Sequence, residues 1–448
     1  MGSVAHRNCS STVVCVKEIE VGAKSTKQYR YNYRLRPRRL LTGLVAHFVL
    51  LLPCPGASPE FQQQSLFQGQ HGGYELYRIP GIVVTARGTI LAYAEARKYT
   101  GGDWDTIDLV MRRSTDGGRT FQPPAVVAET PAARIRNPVA LARKQGDPSD
   151  VTYNNPVAIA AKDGTVYLLF CTQYMRVFEA RSEDDGAKFS APVEITGALE
   201  SLRRKYPWRV VATGPGHGIE LENGRLIASV WLALGTSGNG HSPSQTTTIY
   251  SDDKGKTWHA GEIAAPDTST FPSPNEAEAV ELANHRVMLN VRTTSSRHRR
   301  LIVTSKNGAS QWSKPQFDTE LMDPICFASI QRLSLKRGES ENSPKARNRL
   351  LFVNPDPGSG RERRNLTARV SYDEGEHWNM KQVIDPGPAG YADLAVGPDG
   401  TIFCFYEKRD LNQKGHRSQI LTLATFNLEW LTNGNDSMES KMKAGTIR

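Results

Sequence analysis

At 448 residues the chain is long enough for one large domain or two ordinary ones, and 38% apolar content with a mean hydropathy of −0.47 excludes a multi-span membrane protein. The formal net charge is +10, but nine Lys/Arg against only Glu18 and Glu20 fall within residues 1–57. The small surplus spread over the remainder is no footprint for nucleic acid.

Taken in order, the chain first presents Arg36, Arg38 and Arg39, then the apolar run Leu40–Leu52, then Pro53 to Ala57 with small residues at Gly56 and Ala57. A basic stretch, a short apolar stretch and small residues describe a secretory signal peptide, so a secreted or periplasmic location is expected. The apolar run is too short to span a bilayer comfortably, and no integral membrane domain is expected. Residues 58–443 read as one domain and 444–448 as a disordered tail, within a polar stretch that starts at Asn435. Short Val/Ile/Leu runs between Gly, Asp and Asn turns predict a mostly β fold. Cys171, Cys326 and Cys404 each sit in apolar strand-like surroundings and read as buried free thiols. No CxxC or His/Cys cluster has metal-ligand spacing, and no metal or cofactor is implied.

An eight-residue pattern, SxDxGxxW/F, recurs at Ser114–Phe121, Ser182–Phe189, Ser251–Trp258 and Ser371–Trp378, with a degenerate copy at Ser305–Trp312 whose Gly comes one place early. The Asp carboxylate can accept backbone N–H groups across a tight turn, Gly supplies positive φ, and the terminal aromatic packs against a neighbour. A calcium loop fails as an explanation, because the alternating oxygen ligands and the terminal Glu are missing. Five such hairpin markers, with room for one more unit, predict an all-β, six-bladed β-propeller. The stretch 337–349, RGESENSPKARNR, reads as an exposed charged loop.

The stretch Asn275–Arg292 reads as strand, turn at Ala283–His285, strand, which can deliver Glu276 and Arg292 towards one site. Together with YRIP at Tyr77–Pro80, AEAR at Ala94–Arg97, GPGHGIEL at Gly214–Leu221, RNLTARVSYDEG at Arg364–Gly375 and GYADL at Gly390–Leu394, it carries a resemblance. The octets resemble the Asp boxes of sialidases. From about Tyr74 to Glu407 the chain is similar to exo-α-sialidases of the bacterial type.

That resemblance implies removal of terminal α-linked sialic acid from glycoproteins, gangliosides and oligosaccharides, with retention and without a metal. Sialic acid carries a carboxylate on its anomeric carbon, which calls for fixed, forked cations. The resemblance supplies Arg78, Arg292 and Arg363, with Arg364 as the alternative to Arg363, and Arg97 beside them, touching substrate or holding a neighbouring carboxylate. It implies Tyr391 as nucleophile, since a carboxylate there would be repelled by the substrate, and Glu276 as the base that takes the phenolic proton. By family spacing Asp103 is the acid that protonates the leaving oxygen, with Asp105 as runner-up and Asp108 assigned to a strand. Gly101 and Gly102 fit a mobile loop, Trp104 either covers substrate or packs, and Asn154-Asn155-Pro156 resembles a pocket-lining segment. His217 is expected to stay outside the chemistry. Two alternatives share the same motifs: a non-catalytic Asp-box propeller that binds sialylated glycans, and a trans-sialidase.

Overall fold

Strands account for nearly every regular element of the computed structural model, which describes residues 58–99, 102–336, 346–409 and 419–438. The leader, Gly101, most of the charged stretch 337–349 and the last ten residues lie outside the described residues. All described residues belong to one compact unit, Pro55–Arg448.

The strands form five sheets, each built mainly of antiparallel neighbours in up-and-down order. Strand Met380–Val396 is 17 residues long. Its first half pairs with Arg364–Ser371 and its second half with Ile402–Arg409, so the seven-stranded sheet is two groups that share one strand. The sheets thus resolve into six antiparallel groups. Within a group, burial falls from the second strand to the last. Ile90–Arg97 and Val166–Thr172 are buried along their whole length, whereas Ala125–Val126 and Val193–Glu194 are exposed.

All five repeat octets occupy the same place, the turn between the third and fourth strands of a group. In each full copy the Ser hydroxyl donates to the Asp carboxylate at 2.8 Å. The Gly N–H in turn donates to that Ser oxygen at 2.8 to 2.9 Å. The Asp also accepts the N–H two residues after the Gly, at 2.8 to 3.0 Å. The Gly residues sit at φ between 72° and 94°, where a side chain is disfavoured. In the degenerate copy Asn307 replaces the Asp, and Gly308 N–H still finds Ser305 Oγ at 3.1 Å. The sixth group has no octet. Its outer strand is Phe61–Gln68 from the start of the described chain, paired antiparallel with Gln419–Phe426.

Two expectations need correction. Arg349, assigned to an exposed loop, is 1% exposed and begins strand Arg349–Pro355. Its guanidinium forks onto Asp436, at 2.7 and 2.8 Å, and Tyr372 Oη donates to the same carboxylate at 2.8 Å. The polar stretch from Asn435 is therefore tied to the fold through residue 438. Cys171, Cys326 and Cys404 are free and buried, as expected. Among the described residues no helix is long and apolar enough to cross a membrane.

Candidate active site

All six groups send side chains into one cleft of about 250 Å³. Up-and-down topology explains the convergence: the start of a first strand and the end of a second strand lie on the same edge. Glu276 immediately precedes Ala277–Glu281 and Arg292 immediately follows Val287–Val291. The two face each other across the ladder, with Arg292 N–H donating to Glu276 O at 2.9 Å.

Tyr391 stands at the irregularity where Met380–Val396 passes from one partner strand to the other. Its hydroxyl donates to Glu276 Oε1 at 2.6 Å and accepts from Arg292 Nη1 at 2.7 Å. Arg292 Nη1 also donates to Glu276 Oε2. The guanidinium carbons of Arg78 and Arg363 lie 5.4 and 5.5 Å from the centre of the Tyr391 ring. Three arginines and a buried phenol therefore share one small volume. Burial pushes the Tyr391 phenol far above its ordinary value; Arg292 and Arg363 oppose this shift without cancelling it. The phenol therefore keeps its proton.

Arg78 and Arg363 are each fixed from behind. Glu407 accepts from Arg78 Nε at 3.1 Å and Nη2 at 3.4 Å, from Ile79 N–H at 3.2 Å and from Tyr391 N–H at 3.3 Å. Gly390 makes room for this carboxylate, since a Cβ there would lie 2.2 Å from Glu407 Oε2. Arg363 Nη2 donates to Ile325 O at 2.6 Å. Ile79 and Ile325 hold φ of 57° and 60°, a conformation costly for β-branched residues. Ile79 packs with Cys326, Phe327 and Tyr391 in one small buried cluster. Arg364 lies on the surface near Glu362, so Arg363 and not Arg364 faces the cleft.

On the opposite wall, Asp103 Oδ1 is 2.9 Å from Arg97 Nη2, and Asn239 Nδ2 donates to Oδ2 at 3.2 Å. Burial alone would raise this carboxyl, but Arg97, His241 and Arg78 hold it well below the usual carboxylate range. Arg97 holds a neighbouring carboxylate, the second of the two placements expected for it. Glu95, two residues earlier on the same strand face, and Asp103 engage its guanidinium. Asp105 donates its N–H to Gly102 O outside the cleft, and Asp108 accepts from Tyr74 Oη at 2.8 Å within strand Ile107–Ser114. Trp104 is 1% exposed and packs beneath the wall. Asn155 lines the cleft, and Asn154 Nδ2 donates to Asp103 O at 3.0 Å. His217 lies outside it, held between Asp393 Oδ1 at 2.8 Å and Glu278 Oε1 at 3.3 Å, beside a separate cavity. His217, Glu278 and Asp393 form a ligand-type trio with no counterpart in the sequence spacing, as do Glu222, Glu281 and His285.

Glu407, Ile325, Asn239 and His241 were not singled out from sequence. Glu95, inside AEAR, and the alternation that puts it beside Arg97 were the one available signal.

A strand-built cleft with three arginines around a buried phenol and carboxylate defines the class, and residues 139–404 match the BNR repeat-like domain. The chain belongs to the BNR repeat-like family. It is 29% identical over 396 residues to the sialidase of Micromonospora viridifaciens, covering 84% of this chain and 55% of that protein. With the sialidase of Bacteroides fragilis (strain YCH46) it shares 27% identity over 357 residues, 74% of this chain and 60% of that one. The chain thus spans under two thirds of the length of these two relatives. The Hadza microbial sialidase Hz136 superimposes with a TM-score of 0.66 at 24% identity, over 82% of this chain and 69% of that one, and shares the fold.

Proposed function

We propose that the protein is an exo-α-sialidase built as a six-bladed β-propeller, cleaving terminal α-linked sialic acid with retention. The observation that carries this reading is the Tyr391–Glu276 pair set among Arg78, Arg292 and Arg363, with Asp103 across the same cleft. In this reading the arginines fix the substrate carboxylate and with it the orientation of C2. Tyr391 attacks C2 while Glu276 takes its proton, and Arg292, already on the hydroxyl, steadies the phenolate as it forms. Because burial keeps the free phenol neutral, proton loss accompanies attack instead of preceding it. Asp103 protonates the departing glycosidic oxygen, then draws a proton from the water that releases the sugar. Two displacements at C2 preserve its configuration. The basic, apolar stretch of the leader supports an activity outside the cytoplasm.

The test is mass-spectrometric detection of free sialic acid from 3′-sialyllactose, by the wild type and by Tyr391→Phe. Release by the wild type, lost in the variant with unfolding unchanged, is the expected result. Sialoside binding without release by the wild type would replace the hydrolase reading with a glycan-binding one.

A further inference from the structure

Asp103 poses a problem for the proposed reaction. Its carboxyl is held deprotonated by Arg97, His241 and Arg78, yet a leaving-group acid must carry a proton. A source must stand nearby. Among the described residues lining the cleft, one imidazole does.

His241 belongs to the hairpin that joins Leu226–Ser237 to Ser242–Ser251. Its ring centre lies 4.6 Å from Tyr174, 5.2 Å from Trp231 and 5.5 Å from Trp104, a three-walled aromatic box. The hairpin is tied to the Asp103 segment by Trp104 Nε1, which donates to Asn239 O at 2.8 Å, and by Asn239 Nδ2 on Asp103 itself. Arg143 holds its backbone from the other side, donating to Gly235 O and Gly238 O at 3.0 and 2.8 Å. His241 Nδ1 is thereby presented 3.9 Å from Asp103 Oδ2, about 1 Å beyond hydrogen-bond reach, a gap that one water or a small ring shift closes. Nε2 is buried without a partner among the described residues, so no other group fixes the tautomer.

We propose that His241 acts through Asp103 as its proton supply. The His241 imidazolium passes its Nδ1 proton to Asp103 Oδ2 and becomes a neutral imidazole that keeps its proton on Nε2, and Asp103 passes the proton to the glycosidic oxygen as the C2–O bond breaks. Asp103 then takes a proton from the attacking water and returns one to His241, so the cycle closes. The inference rests on the proposed sialidase chemistry. The charges that face His241 are Asp103 and Glu276, which favour the imidazolium, and Arg292 and Arg97, which oppose it. Burial is the largest influence and lowers its proton affinity, so the imidazolium forms at lower pH than an ordinary histidine and parts with its proton readily once formed.

Two readouts separate proton supply from a merely structural role. With the His–Asp pair intact, the alkaline limb of kcat/KM on 3′-sialyllactose follows the His241 titration, measured on the wild type by NMR. Without the imidazole only Asp103 is left to hold the proton, so in His241→Gln and His241→Phe that limb moves to lower pH. The loss is also leaving-group dependent. It exceeds the loss on an aryl sialoside, whose phenolate departs with little protonation, by on the order of tenfold on the acid side of the His241 titration. Equal losses on both substrates, or an unmoved limb in the folded variants, overturns the inference and leaves the function standing. If the Phe variant does not fold, Gln and the wild-type titration decide. A wild type that releases no sialic acid overturns both.

Discussion

Glu407→Gln is a sharp probe of how the cleft is held. The residue is 4% exposed, and each carboxylate oxygen is bracketed by donors: Oε1 by Arg78 Nε and Ile79 N–H, Oε2 by Arg78 Nη2 and Tyr391 N–H. An amide has one oxygen and one NH2. Whichever way it is flipped, two donors meet two donors, and Arg78 loses its counter-charge. Losing two such bonds in a buried setting costs about 3 kcal/mol, within the range for breaking a buried ion pair from one side. Because Glu407 spans the backbone of both Ile79 and Tyr391, the strain at Ile79 should relax and the clamp should loosen. Urea denaturation should show that loss of stability, and steady-state kinetics on 3′-sialyllactose should show KM raised and kcat reduced together. A variant within 1 kcal/mol of wild type, with unchanged kinetics, would refute the claim that this carboxylate organises the site.

Arg363→Ala should raise KM for a sialoside by about tenfold or more, whereas Arg364→Ala, on the surface, should leave it within experimental scatter; equal effects would undo the assignment. Asp436→Ala removes the carboxylate onto which the buried Arg349 forks and should cost about 3 kcal/mol in urea unfolding. His217 gives a pH signature. Burial alone would lower its proton affinity, but Glu278 and Asp393 outweigh this and hold the imidazolium well above the ordinary value. With the folded value raised, its stabilisation is full below about pH 6.5 and fades as pH rises towards the folded value, by about 1 kcal/mol per unit. Unfolding midpoints between pH 7 and 10 should therefore drop less steeply in His217→Gln than in the wild type.

What could be seen in the sequence was what is local. The octets announce themselves because Ser, Asp and Gly of one copy satisfy one another within a few residues, as Ser114, Asp116 and Gly118 do. The hairpin carrying Glu276 and Arg292 is legible for the same reason. The clamp arginines, Tyr391 and Asp103 were legible only through family motifs, since nothing in a lone Arg or Tyr marks it as inward-facing. Glu407 escaped notice because Arg78 lies 329 positions away, and Asn239 because Asp103 lies 136 away. Arg349 was misjudged on the same ground: a charged neighbourhood in sequence gave no hint of Asp436. Arg97 was half read, as the carboxylates that engage it, Glu95 and Asp103, lie close in the chain but only Glu95 shares its strand.

The pairing of Phe61–Gln68 with Gln419–Phe426 bears on how the protein can fold. The last group cannot be finished until nearly the whole chain has left the ribosome, because its outer strand waits from the beginning for partners made at the end. Asn427 reinforces the junction, donating from Nδ2 to Ser58 O at 2.7 Å and accepting Glu60 N–H at 2.9 Å. Contacts of such sequence separation make folding slow and leave a sheet edge exposed to other chains in the meantime. Recombinant yield should accordingly depend on temperature and expression rate more than on equilibrium stability, and trimming either end of the 58–438 span should harm it before it harms the cleft.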